Sequence, residues 1–240
     1  TPTTVISNGG LWQITGDNLF YNAYGGLPMT WVNSGTLRKS AGSGTSTIQS
    51  FNFFNQPTGV IDVLSGTLAL GSDTNSVLGG SLTATAPGML SLTGGTWTDA
   101  GGSASGTGIS QFSGGTLNLQ TNIIPGLRLA GGSVFVTGAT TFQQAGAITN
   151  LTLDGAQLRG TNRVGSGTLT ANSGGVDGQL TVLPAGQLSL ATGGTKGVYQ
   201  LTLINQGTVT WSGGLLQGGS TPTTVISNGG LWQVTGDNLF

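Results

Sequence analysis

The sequence contains no cysteine, no histidine and no glutamate; its seven acidic side chains are all aspartates. Without cysteine there is no disulfide staple and no thiolate chemistry, and without histidine the commonest general base and metal ligand is missing. Charge of either sign is scarce, at 5% of residues against about 25% in ordinary soluble proteins. Six Lys and Arg against seven Asp leave a net charge of −1, which supplies no electrostatic footprint for nucleic acid or for an anionic membrane. No basic-then-apolar leader is visible, and no stretch reaches the roughly 18 apolar residues of a membrane span. The sequence therefore predicts no cofactor, no nucleic-acid partner and no membrane span in this segment. An uncharged surface rich in Thr, Ser and Asn, without reactive thiols, points to an extracellular or cell-surface location.

What is present is glycine and alternation. Glycine fills 46 of 240 positions, well above the usual share of about 7%. A collagen would place it at every third residue, and a flexible linker would lack the many Leu, Val and Ile found here, so neither describes the chain. Hydrophobic residues make up 36% of the sequence, enough to bury a continuous core. They recur in short period-two runs between glycines: GVIDVLSGTLAL from Gly59, GMLSLTGGTWT from Gly88, GLRLAGGSVFV from Gly126, GQLTVLPAGQLSL from Gly178 and GTVTWSGGLLQ from Gly207. Each reads as two strands bridged by a bend, and no segment shows the 3.6-residue period of an amphipathic helix. The glycine that opens the second strand falls at Gly10, Gly35, Gly66, Gly95, Gly115, Gly132, Gly155, Gly186, Gly214 and Gly230, with an extra GTLTA at Gly167. The mean step is about 24 residues, within the range of one turn of a repeat architecture. A sandwich or barrel is the structural alternative, but Asn-Gly and Asp-Gly hairpin turns are few. The expectation is an all-β chain, a parallel β-helix or β-solenoid with irregular coils of about 24 residues. Its inward positions include Val63, Leu68, Leu70, Leu90, Leu92, Leu117, Leu119, Val134 and Val136.

A longer repeat lies over the short one. Residues 1–20, TPTTVISNGGLWQITGDNLF, return at 221–240 with one change, Ile14 to Val234. These two residues mark the repeat seam. Residues 1–220 read as one tandem-repeat unit of about nine coils, with an axial rise of roughly 45 Å at 4.8 Å per coil. Residues 221–240 then begin the next copy, in a continuous solenoid. A closed domain needs no tandem copy, whereas an open stack of strands must be continued or capped at its edges.

Asn-x-Gly recurs at Asn8, Asn33, Asn172, Asn205 and Asn228, each just before an apolar strand. Stacked amides would form a ladder inside a bend; the alternative is that Asn simply tolerates a left-handed turn. Among aromatics, Phe20, Tyr21, Tyr24 and Trp31 crowd one early segment, and SFNFFNQP adds Phe51, Phe53 and Phe54. Phe20, Tyr21, Tyr24, Trp31 and Phe54 are the candidates for an interface or a glycan contact, against the reading of a local hydrophobic plug. Catalytic signals are thin. Asp154, Arg159 and Arg163 form the tightest charge cluster, and one carboxylate makes a poor calcium site. The other aspartates are too dispersed to select an acid–base pair. Thr-x-Thr pairs such as Thr83 with Thr85 and Thr208 with Thr210 suit outward strand positions better than a regular ice-binding array.

The segments FNQPTGVIDVLSGTLALG, VNSGTL, FSGGTLNL and INQGTVTWSGG resemble the coils of secreted bacterial β-solenoid surface proteins. These are the filamentous-haemagglutinin-like adhesins, autotransporter passengers and giant tandem-repeat fibre proteins. The resemblance implies an extracellular right-handed β-helix with no catalytic residues to transfer. On this reading the chain is a non-enzymatic structural fibre or adhesin stalk. Its partners are further copies of itself, end to end along the fibre axis and laterally. The alternatives are a carbohydrate-binding adhesin that grips surface glycans through the aromatic segment 17–31, and a polysaccharide-active β-helix enzyme.

Overall fold

The computed structural model describes residues 4–23, 26–120, 123–136, 150–191, 193–219 and 223–236, together with the backbone of 141–142. Among these residues all regular structure is β, and every strand pairing is parallel. The chain is a β-solenoid of about ten turns, roughly 22 residues apart. It divides into two compact units, the first made of Thr1–Asn118 with Ile124–Arg128 and the second of Leu119–Ile123 with Leu129–Phe240.

In the first unit each turn contributes three short strands. One stack runs Val5–Asn8, Met29–Asn33, the second half of Thr45–Asn55, Ser76–Leu78 and Thr96–Asp99. The next runs Leu11–Ile14, Thr36–Lys39, Val60–Val63, Ser81–Ala84 and Ser103–Ser105. The third runs Leu19–Tyr21, the first half of Thr45–Asn55, Thr67–Ser72, Met89–Gly94 and Ile109–Phe112. Thr45–Asn55 serves two stacks because it turns a corner at Ser50, a non-glycine residue with φ of 63°.

The second unit repeats the plan. Asn150–Arg159, Thr168–Val176, Gln187–Leu190, Thr208–Trp211 and Leu231–Val234 form one stack. Thr161–Val164, Gly178–Val182, Leu201–Asn205 and Val225–Asn228 form another.

Alternation builds the core. In Val60–Val63 the side chains of Ile61 and Val63 point inward and are fully buried, while Val60 and Asp62 lie on the outer surface. All nine inward positions read from the pattern are buried, from Val63 to Val136. Parallel register stacks apolar side chains one turn apart, Leu37 on Ile61 and Ile61 on Leu82. Burial of each such side chain contributes about 1.5–3 kcal/mol. Polar positions alternate outward, so a slip of one residue would expose the whole column.

The turn length varies from 28 residues between Leu19 and Thr47 to 18 between Asn150 and Thr168. The GTLTA at Gly167 forms a turn of its own, since Leu169 lies between Leu151 and Leu188. This extra turn brings the spacing to roughly 22 residues, below the mean read from the glycines. Glycine is needed where a corner lies directly on the turn beneath: a Cβ on Gly106, at φ 107°, would collide with the Ala84 carbonyl oxygen.

Candidate functional site: the asparagine ladder and the aromatic end

Asn8 closes its strand with the side chain buried, and its Nδ2 donates to Asn33 Oδ1 at 2.8 Å. Asn33 Nδ2 donates in turn to Asn55 Oδ1 at 2.8 Å, and Asn55 Nδ2 ends the ladder on the Gly79 carbonyl. Each amide also serves the next turn's backbone: Asn8 reaches Thr36 O at 3.0 Å and Asn33 reaches Val60 O at 3.2 Å. The second unit has the same device, with Asn205 Nδ2 donating to Asn228 Oδ1 at 2.6 Å and to Leu231 O at 3.0 Å. Among the described residues only Ser50 and Gln200 have positive φ outside glycine, so no ladder Asn is there for a left-handed turn. Asn172 does otherwise: it lies within Thr168–Val176 and donates to Asp154 Oδ1 at 2.6 Å. Asn55 belongs to the ladder although Asn-x-Gly does not continue after it; three residues separate it from Gly59. The available signal was the alternation Phe51, Phe53, Asn55, which puts the amide on the buried face.

The strand that follows the ladder's second Asn, Thr36–Lys39, ends on a buried cation. Lys39 is 0% exposed, and its Nζ donates to Asp17 Oδ1 at 2.8 Å, Gly16 O at 3.1 Å, Ala41 O at 3.0 Å and Ser46 Oγ at 3.0 Å. This hydrogen bond from Lys39 is the chief reason the Asp17 carboxyl is held below its ordinary value of 3.8. Alternation in Thr36–Lys39 points Lys39 inward like Leu37, so a nest of four acceptors is required to hold it there. Asp99 is the opposite case. Burial pushes its carboxyl above 3.8 even though Gly101 N and Gly102 N donate to it at 3.0 and 3.2 Å.

The aromatic candidates separate. Trp31 is 1% exposed and packs edge-on against Trp12 and Phe20, with ring centroids 4.9 and 6.0 Å away. It therefore presents no face to a glycan. Phe20 stacks on Phe51 at 5.3 Å and remains 40% exposed. Tyr21 points outward at 48% exposure, Phe54 is half-buried on the outer face, and Tyr24 lies outside the described residues. A hollow of about 280 Å³ borders Trp12, Ile14, Leu19 and Phe20 at the edge of this cluster.

The charge cluster is dispersed by the fold. Arg159 meets Asp177 at 3.4 Å and donates to Ser133 Oγ at 2.8 Å, while Asp154 accepts from Asn172. Asp62 is engaged by Arg38 at 2.8 Å and by Thr83 Oγ1 at 3.0 Å, which ties three successive turns together on the outer surface. Among the described residues no group of three or more acidic side chains could hold a metal ion. No helix among them is long and apolar enough to cross a membrane.

No protein-family model, curated protein or solved structure matches the chain.

Proposed function

We propose that the chain is part of an extracellular structural fibre or adhesin stalk, non-catalytic and built from tandem 220-residue β-solenoid units. One observation carries the reading: the repeated sequence folds as a solenoid turn at both of its positions. Val5–Asn8 with Leu11–Ile14 and Val225–Asn228 with Leu231–Val234 are the same pair of strands, joined by the same bend. A turn that recurs after 220 residues is the seam at which one unit runs into the next. Low charge suits the role, because copies brought side by side would meet little repulsion. The glycan-binding alternative is left with Phe20 and Tyr21 as its exposed aromatics among the described candidates, beside the half-buried Phe54.

Imaging and fibre diffraction of the native array test the proposal. Expected are filaments with a 4.8 Å axial layer spacing and a long repeat of roughly 45–50 Å per unit, one strand spacing for each turn. Compact particles without that layer line would refute it.

A further inference from the structure

The stretch VISNGGLWQ, at residues 5–13 and again at 225–233, is covered on opposite sides in its two copies. At the first copy the following turn covers it: Val5 pairs with Thr30, Asn8 with Asn33 and Trp12 with Leu37. At the second copy the preceding turn covers it: Val225 pairs with Thr202, Asn228 with Asn205 and Trp232 with Val209. The polar contacts divide in the same way. Asn8 spends its Nδ2 on Asn33 and Thr36, whereas Asn228 receives Asn205 on its Oδ1. Asn8 Oδ1 accepts only from Gly10 N of its own bend, at 3.3 Å, and an amide oxygen has a second lone pair for Asn205, so one copy of the segment can make both sets at once.

The first copy also shows what is missing on its uncovered side. A Cβ on Gly10 would meet nothing within 4 Å, whereas one on Gly230 would collide with the Gly207 carbonyl oxygen. Gly10 needs to be glycine only if a turn like 201–211 lies under it. Trp12 is 40% exposed and, with Ile14 and Phe20, borders the hollow of about 280 Å³. In the second copy the matching positions, Trp232 and Val234, sit on Val209 and Trp211.

We propose that residues 4–14 are a docking edge for residues 201–211 of a second copy of this sequence, in the register that 225–234 take on 201–211. Thr202 then underlies Val5, Asn205 underlies Asn8, and Val209 and Trp211 cover the hollow beneath Trp12 and Ile14. The ladder becomes continuous across the seam, from Asn205 through Asn8 and Asn33 to Asn55, with every amide pointing the same way. The inference rests on the tandem-fibre reading and adds to it the register and the contact residues.

The test is the full chain extended by residues 21–240 of a second copy, with Val234→Ile in that second copy alone. The peptide VISNGGLWQV then reports the seam and VISNGGLWQI reports the two ends. In hydrogen exchange the seam peptide is expected to exchange more than tenfold more slowly than the end peptide. Register is read by oxidation of paired cysteines, since stacked Cα atoms about 4.8 Å apart lie within disulfide reach. Val225→Cys is expected to bond with Thr30→Cys of the second copy and not with Val32→Cys, as Val5→Cys does with Thr30→Cys in the first. A seam peptide exchanging as fast as the ends would overturn the proposal, as would a disulfide formed with Val32 or one that fails at the seam while forming in the first copy. Units joined loosely would fail this test yet still form native filaments, whereas a chain that never forms filaments could pass it, so the two readings fail separately.

Discussion

Asn33 stands one turn beyond Asn8 and takes a 2.8 Å hydrogen bond from its amide while passing its own to Asn55. It is fully buried, so Asn33→Ala leaves two partners unpaired away from water. The expected loss is about 2–3 kcal/mol, measured by urea unfolding. Adding Asn8→Ala to Asn33→Ala is expected to cost less than the sum of the two singles, because they share one bond.

Acid should loosen the turn that contains Asp17. Its folded carboxyl lies below 3.8 because of Lys39, so the stability it adds is present above 3.8 and is lost as pH falls through the lowered folded value. Hydrogen exchange of residues 11–21 and 39–46 is expected to accelerate in that window. Asp17→Asn should remove the acid sensitivity, and Lys39→Met should mimic it at neutral pH.

Asp99 should respond with the opposite sign. Its carboxyl is raised by burial, so the folded state holds the proton more tightly and stability falls as pH rises from 3.8 through the folded value. Asp99→Asn keeps an oxygen to accept from Gly101 and Gly102 without the buried charge. The variant is expected to be at least as stable as the parent at pH 7 and to lose this pH dependence, as thermal melts across the range would show.

Two identical glycines should tolerate alanine differently. Gly10→Ala meets open space and is expected to change stability by less than about 1 kcal/mol. Gly230→Ala meets the Gly207 carbonyl and is expected to release residues 225–234 from the turn beneath, seen as rapid exchange of that segment. Equal effects at both positions would contradict the packing described here.

Trp31 is a core residue shared by Trp12, Phe20, Phe51 and Phe53. Trp31→Ala is expected to cost about 3–5 kcal/mol through the cavity it leaves, measured by chemical unfolding. Tyr21→Ala, on the exposed surface, should cost little.

The sequence by itself determined the strands, their inward faces and the solenoid class, because period-two alternation between glycines admits one buried side per strand. It also displayed the long repeat, which needs no structure to be seen. It named four Asn that the structure places in ladders, Asn8, Asn33, Asn205 and Asn228, because their Asn-x-Gly spacing recurs locally. Only tertiary structure decided which residues meet across turns of 18 to 28 residues. Alternation puts Asn55 on the buried face, but no local signal says that it meets Asn33, that Asn172 turns to Asp154, or that Arg159 finds Asp177. Nor could composition show that Lys39 would be fully buried, since a lysine at an inward position is viable only where Asp17, Ser46 and two backbone carbonyls converge on it. Stacking also decided the fate of Trp31, since whether an aromatic in a crowded segment faces solvent or the core depends on the turn laid over it. The physical reason is the same in each case: a strand's own pattern fixes which way a side chain points, and turn length fixes what it meets there.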